Sequence, residues 1–248
     1  MNEQDSKRRF GGVERLYGKN NLDKFARSHI VVIGIGGVGS WVAEALARNA
    51  IGKLTLIDLD VVAESNINRQ LPALSNTIGC NKIDVMAERI KQINAHCEVI
   101  SIDEFISVDN ISDLIVSDAD YVADCIDSSR TKAVVIAWCK RNKIKIITIG
   151  GAGGQKDPTL IKIADLSKTQ HDPLLSRTRK ILRREYNFSS NSKRRFSIPC
   201  VYSTEHLQNS EPPESNIFDL SCAGGIGSSV MVTGSFGFLA AAYILSKL

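Results

Sequence analysis

The residues best suited to chemistry begin with Gly34, Gly36, Gly37 and Gly39, in the run Ile30-Val-Val-Ile-Gly34-Ile-Gly36-Gly37-Val-Gly39-Ser40. β-Branched apolar residues lead into this turn, and Trp41-Val-Ala-Glu-Ala-Leu-Ala47 leads out of it. The pattern predicts strand, tight loop and helix. Its first glycine makes the turn, its second lets backbone approach a phosphate, and its third packs helix on strand. Unpaired N–H groups and the dipole at the new helix's N-terminus favour a bound anion. A second apolar run, Leu54–Asp58, ends in a carboxylate about twenty residues later, where a ribose hydroxyl needs an acceptor. A glycine turn can exist without a ligand, but the context on both sides of this one favours a nucleotide.

Further polar residues gather where strands are expected to end. Asp60, Ser65, Asn66, Asn68, Arg69 and Gln70 belong to a stretch too polar for a strand, so it is expected to loop over the carboxyl edge of a sheet, where ligands bind. Asn81–Ile93 carries Ile83, Met86, Ala87, Ile90 and Ile93 on one helical face, which places Lys82 in the first turn. A cation there opposes the dipole and calls for an anion. Asp124 and Asp127 follow the apolar run Tyr121–Ile126. Asp127 could equally cap a helix starting at Ser128.

The elements that must position these side chains alternate. Strands are expected over 30–33, 54–58, 97–102, 121–126 and 145–149, with helices over 13–25, 41–47, 81–93, 111–116 and 130–142. That is an α/β, Rossmann-like, doubly wound, mainly parallel sheet with helices on both faces. Gly150-Gly-Ala-Gly-Gly154 forms a second loop at a strand end. The expected organisation is residues 1–164 as N-terminal helices and nucleotide-binding core, and residues 165–248 as a substrate-binding and C-terminal part of the same domain.

The later part begins with Asp172-Pro173, which marks a turn, and a basic helix over 177–186. Arg177, Arg179, Lys180, Arg183, Arg184, Lys193, Arg194 and Arg195 concentrate the positive charge and are candidates for nucleic-acid phosphate contacts, with a solvated face as the alternative. Residues 204–216 lack apolar periodicity and are expected to form a loop. Leu220–Ser246 carries no charge. Its five glycines leave only Phe236–Leu245 densely apolar, too short to cross a bilayer, so a buried helix is expected rather than a membrane anchor. With 248 residues, 43% hydrophobic content and a net charge of +4, the chain can bury a substantial core. Six cysteines without short pairs suggest a reducing cytoplasm, no disulfide framework and no zinc site.

Together, Gly34-x-Gly36-Gly37-x-Gly39, Asp58-x-Asp60, Ser65-Asn66-x-Asn68-Arg69-Gln70, Lys82 and Asp124-x-x-Asp127 resemble the adenylation domain of the E1-like superfamily, which includes the ThiF, MoeB and HesA types. The resemblance implies ATP and Mg²⁺, with Asp58 and Asp60 near the ribose, Asn66, Arg69 and Lys82 on the phosphates, and Asp127 on the metal. Arg69, Lys82 and Asp127 would be the catalytic set. Attack of a carboxylate on phosphorus builds charge on phosphoryl oxygens, which a guanidinium, an ammonium and a metal ion stabilise. A dinucleotide would not use those charges.

Within the superfamily the chain resembles the enzymes that act on N6-threonylcarbamoyladenosine in tRNA. The likeness runs from Arg9-Phe-Gly-Gly12 and Arg15-Leu-Tyr-Gly18 through Ile126-Asp-Ser128, Arg141-Asn-Lys143, Gly150–Gln155 and Asn191-Ser-Lys193 to Ser203-Thr-Glu205. It lacks the paired CxxC zinc ligands common in ThiF and MoeB proteins, and Arg9-Phe-Gly-Gly12 stands in place of the MoeB-like Arg-x-x-Arg. The resemblance implies ATP-dependent activation of the threonyl carboxylate at position 37, followed by ring closure by the substrate's own carbamoyl group. It also implies tRNA as partner, a homodimer, and contact with cysteine-desulfurase or sulfur-acceptor proteins. Cys222 is the candidate nucleophile or sulfur acceptor. The rival readings are adenylation of a small sulfur-carrier protein's C-terminus and a non-catalytic nucleotide- or tRNA-binding module.

Overall fold

The computed structural model describes residues 3–191, 193–207 and 226–248. Two helices, α1 (Glu3–Tyr17) and α2 (Lys19–Arg27), precede β1 (His29–Ile33). They replace the single helix expected over 13–25. Gly18 takes a φ of +85°, left-handed backbone that ends one helix and turns the chain into the next. There follow α3 (Gly39–Arg48), β2 (Lys53–Ile57), α4 (Lys82–Ile93), β3 (Glu98–Ile102), the single turn α5 (Ile111–Leu114), β4 (Tyr121–Asp124), α6 (Ser129–Arg141) and β5 (Ile146–Ile149). From β1 to β5 each expected strand and helix is present, with ends moved by a few residues. Arg9 of α1 donates from its guanidinium to the carbonyls of Gln92 and Ile93, covering the last turn of α4 within its own chain.

Beyond β5 the structure departs from the expectation. The chain adds β6 (Ile161–Asp165), α7 (Pro173–Glu185), β7 (Pro199–Ser203) and α8 (Val230–Leu245). The sequence pattern predicts neither β6 nor β7. They pair antiparallel, Ile161 opposite Ser203 and Asp165 opposite Pro199, and extend the sheet beyond β5. Asp172-Pro173 is the start of a helix rather than a free turn. Asp172 Oδ1 accepts the Leu175 N–H at 2.9 Å, and Pro173 takes the first helical position, so α7 begins a turn earlier than expected.

The seven strands run in the order β3-β2-β1-β4-β5-β7-β6, all neighbours parallel except β6 with β7. This is the expected doubly wound sheet. Every residue of β1 is buried, as a central parallel strand covered on both faces requires. Ile30 and Val32 join the core with Leu46 of α3, Met86 of α4 and Phe236 of α8. Val31 and Ile33 join the opposite core with Ile136 of α6 and Leu175 and Leu182 of α7. The period of two thus divides one strand between two layers. α8 lies against α3, and a Cβ at Gly237 would come within 2.6 Å of the Trp41 Cβ, so glycine permits the close approach. Among the described residues no helix is long and apolar enough to cross a membrane.

Candidate active site

The glycine loop follows β1 directly. Gly34 has φ +85°, and its N–H donates to the Ile57 carbonyl at 2.9 Å. A Cβ at Gly39 would stand 1.8 Å from the Gly34 carbonyl oxygen, so α3 and the end of β1 meet at a distance only glycine allows. Gly36 faces open space, its nearest neighbour being Gln70 Nε2 at 3.8 Å from a built Cβ. The loop borders a cavity of about 670 Å³ at the carboxyl ends of the strands, where the order reverses between β1 and β4. Both the volume and the position suit a small-molecule ligand.

Asp58 ties this loop to the end of β2. Its Oδ2 accepts the Ile35 N–H at 2.5 Å and its Oδ1 the Asp60 N–H at 2.8 Å. Burial pushes its carboxyl up from the usual range, against the pull of the Asp60 N–H, the Lys82 charge and the Ile35 N–H. Lys82 opens α4, as its spacing predicts, with a side chain only 6% exposed. Its ammonium donates to Asp60 Oδ2 at 2.7 Å. The Lys82 N–H donates to the Asp60 carbonyl and the Val62 N–H to the Cys80 carbonyl, so the two ends of the polar loop are stitched together.

Within that loop a 3-10 turn over Glu64–Asn66 buries Asn66, whose Oδ1 accepts the Ala63 N–H at 3.1 Å. The indole N–H of Trp41 donates to the Arg69 carbonyl at 3.0 Å, so α3 holds the backbone that carries the guanidinium. Arg69 Nη1 donates to the Ser65 carbonyl and to Asn68 Oδ1, both at 2.8 Å. Asn68 in turn donates to the Ser228 carbonyl at 2.8 Å, joining the loop to the segment that leads into α8.

The two aspartates at the end of β4 separate. Asp124 is fully buried, its Oδ2 accepting from Lys132 Nζ at 2.9 Å and from Thr148 Oγ1 at 2.6 Å, while Oδ1 accepts the Ile126 N–H. Asp127 is exposed in the cavity and accepts no hydrogen bond from any described residue. The cap of α6 is Ser128, whose Oγ accepts the Thr131 N–H, so Asp127 is not the cap. A single free carboxylate fits Mg²⁺, which takes one or two carboxylates and completes its shell with substrate phosphates and water. No group of three or more metal-ligating side chains occurs among the described residues.

The cavity thus collects Gly34, Gly36, Gly37, Asp58, Asp60, Asn66, Arg69, Lys82 and Asp127, and Gly39 packs beneath it. It also collects residues that sequence reasoning missed. Phe105 arrives from the loop after β3, Thr131 from α6, Leu174 from α7, Ser228 from the segment before α8 and Thr233 from its first turn. Only Gly150–Gly153 had a signal, as glycines at a strand end. Gly151 donates its N–H to Asp172 Oδ2 at 2.9 Å, and a Cβ at Gly150 would lie 2.1 Å from that same oxygen. This contact seats the start of α7 on the cavity floor.

Arg177, Lys180, Arg184, Lys193, Arg194 and Arg195 are exposed. Arg179 is half-buried and donates to Thr169 Oγ1, while Arg183 lies 5.3 Å from the centre of the Phe196 ring. These last two serve the protein's own packing. None of the eight lines the cavity. Cys222 and positions 208–216 lie outside the described residues.

Against known proteins, the ThiF family model matches residues 11–248. The tRNA threonylcarbamoyladenosine dehydratase of Haemophilus influenzae is 56% identical over 242 residues, 97% of this chain and 93% of that protein. The crystal structure of the Escherichia coli tRNA N6-threonylcarbamoyladenosine dehydratase, TcdA, in complex with ATP superposes with a TM-score of 0.90 at 48% identity, covering 97% of this chain and 93% of that one. The Escherichia coli molybdopterin-synthase adenylyltransferase matches over 49% of this chain and 48% of its own length, at 28% identity.

Proposed function

The chain belongs to the ThiF family, and from that premise we propose that it catalyses the ATP-dependent dehydration of N6-threonylcarbamoyladenosine at position 37 of tRNA to the cyclic form. The observation that carries this reading is the convergence of Arg69, Lys82 and Asp127, from three separate segments, on one cavity beside the glycine loop. In this reading ATP occupies the cavity. Asp58, already oriented by two N–H groups, has lone pairs left for ribose hydroxyls, and the open face of Gly36 admits phosphate.

Arg69 and Lys82 stabilise the charge that develops on the phosphoryl oxygens as the threonyl carboxylate attacks phosphorus. Lys82 exchanges Asp60 for a phosphate oxygen. Asp127 holds Mg²⁺, which supplies charge neutralisation at the phosphates. Ring closure by the adjacent carbamoyl group needs no protein nucleophile. Orientation and exclusion of water are what remain for the protein to provide. Exposed apolar side chains at Leu59, Val61, Ile67, Leu74 and Ile78, with Met231 and Phe238 on α8, support a homodimer. The exposed cations of α7 and the following loop supply salt-dependent tRNA contacts.

The test incubates the protein with ATP, Mg²⁺ and tRNA with or without the threonylcarbamoyl group, then weighs the nucleoside and measures pyrophosphate. Loss of one water from the nucleoside, dependent on ATP, supports the reading. ATP turnover indifferent to the modification refutes it, and AMP transfer to a carrier protein's C-terminus favours the sulfur-carrier alternative.

A further inference from the structure

α6 and α7 pack side by side, and each carries cavity-lining residues at its N-terminal end: Ser128 and Thr131 for α6, Leu174 for α7. Their C-terminal ends meet around a second pocket, of about 370 Å³. Four cations line it, Lys140 and Arg141 from α6 and Arg194 and Arg195 from the loop before β7, together with Tyr186 and Phe188. No carboxylate lines it. Lys140 donates to the Phe196 carbonyl and lies 5.5 Å from the Phe188 ring centre, so its ammonium is held in place. The side chains of Arg141, Arg194 and Arg195 engage no partner among the described residues. A helix C-terminus accounts for Lys140 and Arg141. It does not account for Arg194 and Arg195, which lie on a loop and add like charge to the same pocket.

We infer that this pocket is a phosphate-binding subsite for the backbone of the tRNA substrate, remote from the reacting nucleotide. The inference rests on the proposed function and adds a second anchoring point to it. From Thr131 to Lys140 α6 rises about 14 Å, and from Leu174 to Tyr186 α7 rises about 18 Å. A stacked strand advances about 3.4 Å per nucleotide, so the phosphate held here is on the order of four or five nucleotides from the adenosine in the cavity. The guanidinium planes suit a phosphodiester, and the aromatic side chains give the adjoining nucleoside a face to lie on.

The experiment compares wild type with R141E/R195E in tRNA binding across a salt series, and maps the contacted phosphates by ethylation interference. Each lost phosphate contact lowers the slope of log affinity against log salt by about 0.7 to 0.9. A slope smaller by about 0.7 to 0.9, together with loss of interference at a phosphate on the order of four or five nucleotides from position 37, supports the subsite. ATP affinity, titrated directly, reports whether the variant is folded, and R195Q serves for the same comparison if the double variant is unstable. Unchanged slope and unchanged interference, with tRNA still bound, overturn the subsite alone. Failure of the wild type to bind tRNA overturns both the subsite and the proposed function.

Discussion

Removing Lys132 tests whether the buried ion pair behind the cavity holds the β4–α6 turn in place. Lys132 and Asp124 are both fully buried, and the ammonium donates to Asp124 Oδ2, to the Asp124 carbonyl and to Thr148 Oγ1. Lys132→Met leaves the Asp124 carboxylate without its counter-charge in a site that water does not reach. Breaking one side of such a pair costs about 3 to 5 kcal/mol. At about 2 to 4 °C per kcal/mol for a chain of this size, the melting temperature falls by about 6 to 20 °C. The double variant Asp124→Leu/Lys132→Met removes both charges and retains apolar volume, so it recovers most of that loss. Urea denaturation of wild type, both single variants and the double variant gives the coupling energy directly. If K132M loses under about 1 kcal/mol, or if the double variant loses the sum of the single losses, the pair does not hold the β4–α6 turn. The same turn carries Asp127, so K132M is also expected to lower ATP turnover at temperatures where it remains folded.

Arg69→Ala and Asp127→Ala are each expected to reduce ATP turnover by about a hundredfold or more, with urea midpoints near wild type, because both side chains reach into the cavity rather than the core. Full activity in either would remove it from the phosphate site. Gly39→Ala places a methyl group 1.8 Å from the Gly34 carbonyl and is expected to yield little folded protein, whereas Gly36→Ala meets open space and folds while losing ATP affinity. Soluble yield and nucleotide titration separate the two. Glu44 pairs with Arg48 one turn along α3 and links α3 to α4 through Arg89. Burial pushes its carboxyl up, but the hydrogen bonds from Arg89 and Arg48 outweigh burial and hold it below the usual range. A depressed folded-state value contributes stability that is fully present above the unfolded value of about 4.3 and is lost as pH falls through the folded value. Glu44→Gln should therefore flatten the acid limb of a urea midpoint measured from pH 7 to pH 3, and an unaltered limb would reject the assignment. Sedimentation at micromolar concentration is expected to give a dimer, and a Phe238→Glu variant to weaken it.

What the sequence determined by itself is what short-range chemistry dictates. The β-branched run before Gly34 and the alternation through Ile149 specify a strand-turn-helix unit repeated along the chain, because propensity and periodicity act over a few residues. Lys82 falls in the first turn of α4 for the same reason. The spacing of Gly39 predicts close helix–strand packing, and the structure shows the 1.8 Å approach that demands it.

Only the tertiary structure decided the rest. The spacing of Asp124 and Asp127 does not say which enters the cavity. The end of β4 turns one into the core beside Lys132 and leaves the other exposed. Arg179 and Arg183 read as surface charge, yet α7 turns one toward Thr169 and the other onto Phe196. Likewise β6 and β7 are short, and β6 exists as a strand because β7, itself paired with β5, lies beside it across a long connection. Ser228 and Thr233 reach the cavity because Gly237 lets α8 settle against Trp41. In each case the deciding contact joins residues far apart in the chain, and the side chain's environment is set by what folds against it rather than by its neighbours in sequence.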